Sequence, residues 1–288
     1  MRILVTGARG QLGQDLVAEL DRRGHTPIGV DIEEMDITDP RSVEETLKTL
    51  APEAVIHCAA WTAVDAAEEP ENVERVRAVN ALGTSYITEV CRAQNIPLLY
   101  ISTDYVFDGE GEHPRLPEDP RNPISVYGKT KCEGEMAVQT WEKHFIVRIA
   151  WVFGVHGKNF VRTMLNLGKT RTHLTVVSDQ VGSPTFTEDL SVLLSDMIVT
   201  DKYGIYHATN EGYCSWYDFA CEIFRQAAEL DPVYGNVTVS PVDSNAYPAK
   251  AKRPHNSRMS KDKLTENGFA RLPAWQDALA RYLTKTEV

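Results

Sequence analysis

A doubly wound parallel α/β sheet with a smaller C-terminal α/β domain is the fold class predicted by three observations. Short apolar runs alternate with amphipathic stretches through the first half of the 288 residues, the pattern of βαβ units that feed a parallel sheet. A glycine-rich turn, Gly7-Ala-Arg-Gly10-Gln-Leu-Gly13, falls between the first apolar run and the first amphipathic stretch. After about residue 203 the alternation changes to a different spacing.

Ile3–Thr6 is the first strand, a short apolar run with β-branched ends. Gly10–Arg23 is a helix, because Leu12, Leu16, Val17 and Leu20 fall on one face. Thr26–Asp31 is the second strand, Ser42–Leu50 a helix stopped by Pro52, and Ala54–Cys58 the third strand. Asn72–Gln94 reads as one long helix, followed by a fourth strand at Leu98–Ser102. Ser125–Thr140 is helical and Phe145–Ala150 is the fifth strand. Leu174–Val177 is expected as a further strand, with the helix Thr187–Val199 returning to the same sheet. Beyond it come a short strand Ile205–Ala208, a helix Ser215–Glu229 and a strand Val237–Pro241. A proline-containing loop, Tyr247–Arg258, carries Lys250, Lys252, Arg253, His255 and Arg258, and two short helices end the chain. Residues 1–153 and 174–203 are thus expected to form a dinucleotide-binding domain, and 154–173 with 204–288 a smaller cap.

The formal charge of −11 excludes a general electrostatic nucleic-acid binder, whose footprint is basic. The five cysteines are scattered with no CxxC pair, so neither a zinc site nor a disulfide framework is expected. Met1–Val5 enters a strand without a signal-peptide pattern, and no apolar run reaches the ~20 residues that span a bilayer. The expectation is a cytoplasmic protein that binds neither membrane nor nucleic acid.

Glycines at Gly7, Gly10 and Gly13 let the backbone turn tightly and approach a pyrophosphate, which a helix N-terminus attracts. The spacing is GxxGxxG, a variant of the more familiar GxGxxG. Asp31 ends the second strand at close to the ~20-residue spacing expected of a carboxylate that binds the adenosine ribose. It favours NADH, whereas Arg9 in the glycine turn can reach the 2′-phosphate of NADPH. Asp36 and Ile37 follow where a loop covers the adenine.

Tyr127-Gly-Lys-Thr-Lys131 places a phenol and an ammonium on one helix face. A nearby ammonium stabilises a phenolate, so Tyr127 can exchange a proton with a carbonyl oxygen while a nicotinamide exchanges hydride with its carbon. A YxxxK string alone is most often an exposed helical pair. Here the fourth strand ends in Ser102-Thr103-Asp104-Tyr105, at the sheet edge where open α/β proteins place ligands, and Thr103 can hydrogen-bond the same carbonyl oxygen.

With these residues in hand, the chain resembles the extended short-chain dehydrogenase/reductases, which are Rossmann-type, and within them the dTDP-4-dehydrorhamnose reductase family. The strings that carry the resemblance are TGARGQLGQDL at 6–16, HCAAWTAVDAAE at 57–68, YISTDYVFDG at 100–109 and NPISVYGKTKCEGE at 122–135. RIAWVFG at 148–154, VSDQVGSPT at 177–185 and AKRPHNSRM at 251–259 extend it to the second half. The resemblance implies reduction of a 4-keto dTDP-sugar by NADPH or NADH. It also implies Gly10, Gln11 and Leu12 at the pyrophosphate, Asp31, Asp36 and Ile37 at the adenosine, and Ala59, Ala60 and Thr62 along the cofactor, with Lys131 on the nicotinamide ribose. Thr103, Asp104 and Tyr105 are then sugar contacts, Tyr127 the proton donor, Trp151 an aromatic wall and Arg253 a partner of the substrate diphosphate. Some members of the family hold magnesium between acidic side chains of a dimer. Asp15 and Glu188 stand at suitable positions, but Gln276 follows Trp275 where a carboxylate is wanted, so no metal is assigned and a monomer or weak homodimer is expected.

Two other enzyme readings share part of this set. A ketoreductase for a different dTDP- or UDP-sugar shares Tyr127, Lys131 and Thr103. A dehydratase is disfavoured because Asp104 is followed by Tyr105 and not by a glutamate. A non-catalytic subunit on the same fold, of the kind that accompanies methionine adenosyltransferase, has no need of all three residues.

Overall fold

The computed structural model describes residues 1–286. The chain opens with β1 (Arg2–Thr6), α1 (Gln11–Arg22), β2 (Thr26–Val30), α2 (Pro40–Leu50) and β3 (Ala54–His57). Three helices follow, α3 (Val64–Ala67), α4 (Pro70–Arg77) and α5 (Gly83–Gln94), and then β4 (Leu98–Thr103), α6 (Val126–Val138) and β5 (His144–Ile149). The second half contains α7 (Phe160–Gly168), β6 (His173–Val177), α8 (Thr187–Ile198), β7 (Gly204–His207), α9 (Trp216–Leu230), β8 (Thr238–Val242), α10 (Asp262–Glu266) and α11 (Trp275–Lys285).

Six of the strands form one parallel sheet in the order β7-β5-β4-β3-β1-β2. Because side chains alternate across a strand, Ile3, Val5 and Ile56 enter one core with α1 and α8, while Leu4, Val55 and Ile146 enter another on the opposite face. Both faces are therefore covered, as the continuous apolar strands require. Chain order reverses between β1 and β3, which opens a crevice at their carboxyl ends.

A separate core lies beneath the cap. Phe153, Met164, Leu174, Phe186, Phe219, Phe224, Trp275 and Tyr282 pack there against α7, α9 and α11.

Two strands sit elsewhere than the sequence led us to expect. His173–Val177 pairs in parallel with Thr238–Val242 and belongs to the cap, not the large sheet. Its side chains alternate exposed and buried, which suits a two-stranded ribbon over one core and not a strand covered on both faces. Gly204–His207, expected in the cap, instead pairs with β5 at the edge of the large sheet, and Tyr206 is wholly buried in the large core.

The helix expected over Asn72–Gln94 is also interrupted. A π-helical turn, Ala78–Leu82, separates α4 from α5. Such turns commonly mark functional positions, and this one presents Asn80 to the loop after β3.

Candidate active site

A groove of about 1000 Å³ runs along the carboxyl edge of the sheet. Gly7 takes φ +64°, and a Cβ there would approach the Ala59 backbone to 2.9 Å; one on Gly13 would lie 2.1 Å from the Gly7 carbonyl oxygen. Only glycine permits either contact. The Gly10 N–H donates to the Gly7 carbonyl at 2.9 Å. No side chain caps α1, so its first-turn N–H groups stay free for an anion. Gly10, Gln11 and Leu12 line the groove there. The uncapped turn and the close backbone approach fit a dinucleotide pyrophosphate.

Asp31, Asp36 and Ile37 line the same groove beyond β2. One Asp31 carboxylate oxygen accepts from the Arg9 backbone N–H at 3.1 Å and the other from Ile32 at 3.0 Å. Ala59, Ala60 and Thr62 form the opposite wall. Three residues that the sequence reading passed over hold that wall in place. Thr6 Oγ1 accepts from the Ala59 N–H at 3.1 Å and bonds His57 Nδ1 at 2.7 Å. Asn80 accepts from the Trp61 N–H at 2.8 Å and donates to the Trp61 carbonyl and the Thr130 hydroxyl, both at 3.2 Å. Complete burial pushes His57 down to about 3, so it acts as a neutral bridge. Thr6 and His57 open two of the strings that carry the resemblance, but the strings assign these residues no role, because each acts on a partner far along the chain.

The chemical end of the groove is built on β4 and α6. Ser125 caps α6 by accepting from the Gly128 N–H at 3.1 Å. Gly128 packs so tightly that a Cβ would come within 2.2 Å of the Tyr105 carbonyl oxygen. Tyr127, Lys131, Thr103, Asp104 and Tyr105 all reach the groove. The Lys131 ammonium donates to the Ile101 carbonyl at 2.7 Å and lies 4.0 Å from the centre of the Tyr100 ring. Tyr105 meets Tyr127 edge-on at 5.4 Å between ring centres. Thr103 donates to Asp104 Oδ1 at 3.0 Å, and its own oxygen accepts from the Tyr105 N–H.

Charge here is governed by burial. Desolvation raises the Tyr127 phenol above its ordinary value, opposed by the nearby Thr103 hydroxyl, lowers Lys131 to about 7 and raises Asp104 to about 6. Burial thus favours the protonated form of the Tyr127 phenol. A protonated phenol suits an acid that delivers a proton to a ketone.

Trp151 takes the left-handed backbone conformation, φ +49°, which costs a non-glycine residue about 1–3 kcal/mol and tends to persist at functional positions. It lines the groove and stacks on Trp216 at 3.7 Å between ring centres. Trp216 in turn faces an adjoining cavity of about 1290 Å³ together with Phe160, Gln180, Tyr247, Lys250 and Arg253. Arg253 thus lies apart from the Tyr127 groove, bonded to Asp65 on α3 at 2.6 Å, and Lys250 bonds Glu69 at 2.6 Å. Outside the lining of both cavities, Asp15 lies 3.5 Å from His156 and Glu188 bonds Lys285.

Along its whole length, residues 1–288, the chain matches the family model described as RmlD substrate binding domain. The dTDP-4-dehydrorhamnose reductase of Aggregatibacter actinomycetemcomitans is 40% identical over 287 residues, which cover 96% of this chain and 97% of that protein. The crystal structure of a dTDP-4-dehydrorhamnose reductase from Clostridium acetobutylicum superposes with a TM-score of 0.94 at 40% identity, covering 99% of each chain. The Bacillus anthracis dTDP-4-dehydrorhamnose reductase, solved in complex with NADP, gives 0.92 at 38% identity, again over 99% of each chain.

Proposed function

Because the chain belongs to the RmlD substrate-binding-domain family, we propose that it reduces the 4-keto group of dTDP-4-dehydro-6-deoxy-L-mannose (dTDP-4-dehydrorhamnose) to give dTDP-L-rhamnose, using NADPH or NADH. The observation that carries this reading is the convergence of Tyr127, Lys131 and Thr103 on one groove with the glycine turn at its other end.

The bound dinucleotide supplies hydride to the carbonyl carbon. This chain's residues supply the rest. Gly10, Gln11 and Leu12 hold the pyrophosphate with backbone N–H groups, and Gly7 and Gly13 allow the approach. Asp31 binds the adenosine ribose, Asp36 and Ile37 flank the adenine, and Ala59, Ala60 and Thr62 hold the dinucleotide against the sheet. Tyr127 donates its phenolic proton to the carbonyl oxygen as the carbon–oxygen double bond becomes an alcohol. Thr103 hydrogen-bonds that oxygen and stabilises the charge that develops on it. Lys131 orients the nicotinamide ribose and replaces the proton's positive field when Tyr127 ionises. Asp104 and Tyr105 contact the sugar, and Trp151 offers it an aromatic wall. Arg253 turns its fork from Asp65 to the diphosphate, a geometry guanidinium suits.

Product and substrate are soluble nucleotide sugars, and among the described residues no helix is long and apolar enough to cross a membrane. The reading further places the protein in the cytoplasm as a monomer or weak homodimer, with rhamnose supply to surface polysaccharide as its role. Purified protein supplied with dTDP-4-dehydrorhamnose should consume NADPH or NADH and yield dTDP-L-rhamnose. No consumption with either dinucleotide would overturn the reading.

A further inference from the structure

The adenosine end of the groove carries an unusual density of like charge. Asp31, Glu33 and Asp36 line it, and Glu34 folds back so that its carboxylate accepts from the Asp31 N–H at 2.9 Å. Among the described residues, the one cation in that neighbourhood is Arg9, and its guanidinium is forked between Glu33 and Glu34. The other basic residues of the groove are engaged or adjoin other walls. Arg75 lies over the Trp61 ring at 5.6 Å, Lys131 is on the Ile101 carbonyl, and Lys158 follows Gly157, which faces Gln11.

From this arrangement we infer that the chain discriminates against the 2′-phosphate and binds NADH more tightly than NADPH, with Glu33 and Glu34 as the specificity-determining residues that withhold Arg9. The inference rests on the reading that this groove holds a nicotinamide dinucleotide.

The physical argument does not depend on the ion pairs being strong. They are exposed, and exposed pairs contribute little. If Arg9 stays with Glu33 and Glu34, an incoming phosphate meets Asp31 with no free cation. If Arg9 swings to the phosphate, it leaves two carboxylates unpaired close to a dianion. Either way the 2′-phosphate adds negative charge to a site already in excess of it, whereas the 2′-hydroxyl of NADH has only to donate to Asp31.

Fluorescence titration of the purified protein with NADH and with NADPH, in the absence of sugar substrate, tests this. At low salt NADH is expected to bind about tenfold or more tightly than NADPH, a difference of the order of one fully expressed charge interaction. The gap should narrow as ionic strength rises. The paired substitution Glu33→Gln and Glu34→Gln, on exposed side chains, should raise NADPH affinity about tenfold and leave NADH nearly unchanged. Equal or tighter binding of NADPH by the unaltered protein would overturn the inference and leave the dinucleotide reading standing. Failure of both dinucleotides to bind would overturn that reading itself.

Discussion

Tyr127 and Lys131 owe their protonation states to burial, and each state makes a prediction. Tyr127→Phe removes the proton donor and keeps the ring that packs on Tyr105. The turnover number should fall by about 10²–10⁴-fold with little change in dinucleotide affinity; near-normal turnover would exclude Tyr127 as the acid. Lys131 is held down to about 7 by desolvation, so its ammonium is present below that pH and lost above it. kcat/KM, which reports groups of the free enzyme, should therefore decline as pH rises through about 7. A profile flat to pH ~9, toward the ordinary lysine range, would show that the ammonium is not required. Arg253 belongs to this scale too. If Arg253 exchanges its bond to Asp65 for one to the diphosphate, as proposed, Arg253→Ala should weaken dTDP binding by about 1.5–3 kcal/mol, the worth of a charged hydrogen bond. Calorimetry that found dTDP affinity unchanged would remove Arg253 from the substrate site, and NADH affinity should not move in either case.

At the scale of elements, α6 is the part that turns residues into a site. Ser125 starts it, Tyr127 and Lys131 project from one side, and Glu135, wholly buried, binds Arg148 on β5 through two hydrogen bonds of 2.8 Å and Ser102 on β4 at 2.6 Å. The far end of α6 is thereby tied to two strands of the sheet. Its near end is set by the contact of Gly128 with the Tyr105 carbonyl. Gly128→Ala introduces a methyl where only 2.2 Å is free, against rigid backbone. The helix must lift from the strand end, at about 1–3 kcal/mol for an overpacked contact, and Tyr127 moves with it. The expected outcome is a lower melting temperature together with a loss of turnover larger than the loss of dinucleotide affinity. Wild-type turnover in this variant would mean that the helix position does not set the geometry of Tyr127.

The whole molecule places two cavities side by side with an aromatic pair at the divide. One cavity follows the sheet edge, between the large-domain cores; the other lies under the cap. Trp151 lines the first and Trp216 the second, and they stack face to face. The strained backbone of Trp151 is compensated by that stacking and by Gly182, whose lack of a side chain leaves room for the indole. A substrate with a sugar at one end and a nucleotide at the other matches two adjoining chambers better than a single one. The salt bridges from the basic loop to Asp65 and Glu69 span the cleft between the cap and α3–α4.

The sequence by itself determined the features that are contiguous or periodic. The βαβ rhythm, the glycine turn, the strand-end Ser102-Thr103-Asp104-Tyr105 and the Tyr127–Lys131 pair are local patterns, each enforced by strand alternation, helical spacing or backbone sterics. Tertiary structure decided what depends on distant partners. A run of four or five strand residues carries no record of which neighbour it will pair with, so His173–Val177 and Gly204–His207 changed places between the large sheet and the cap. The π turn at Asn80 exists to meet Trp61 and Thr130 across the fold. Arg253, expected at the substrate diphosphate, is bound to Asp65 in the folded chain. The ionisation of Tyr127, Lys131 and Asp104 follows from how much water the surrounding chain excludes, because desolvation is a property of the packed site and not of the residue.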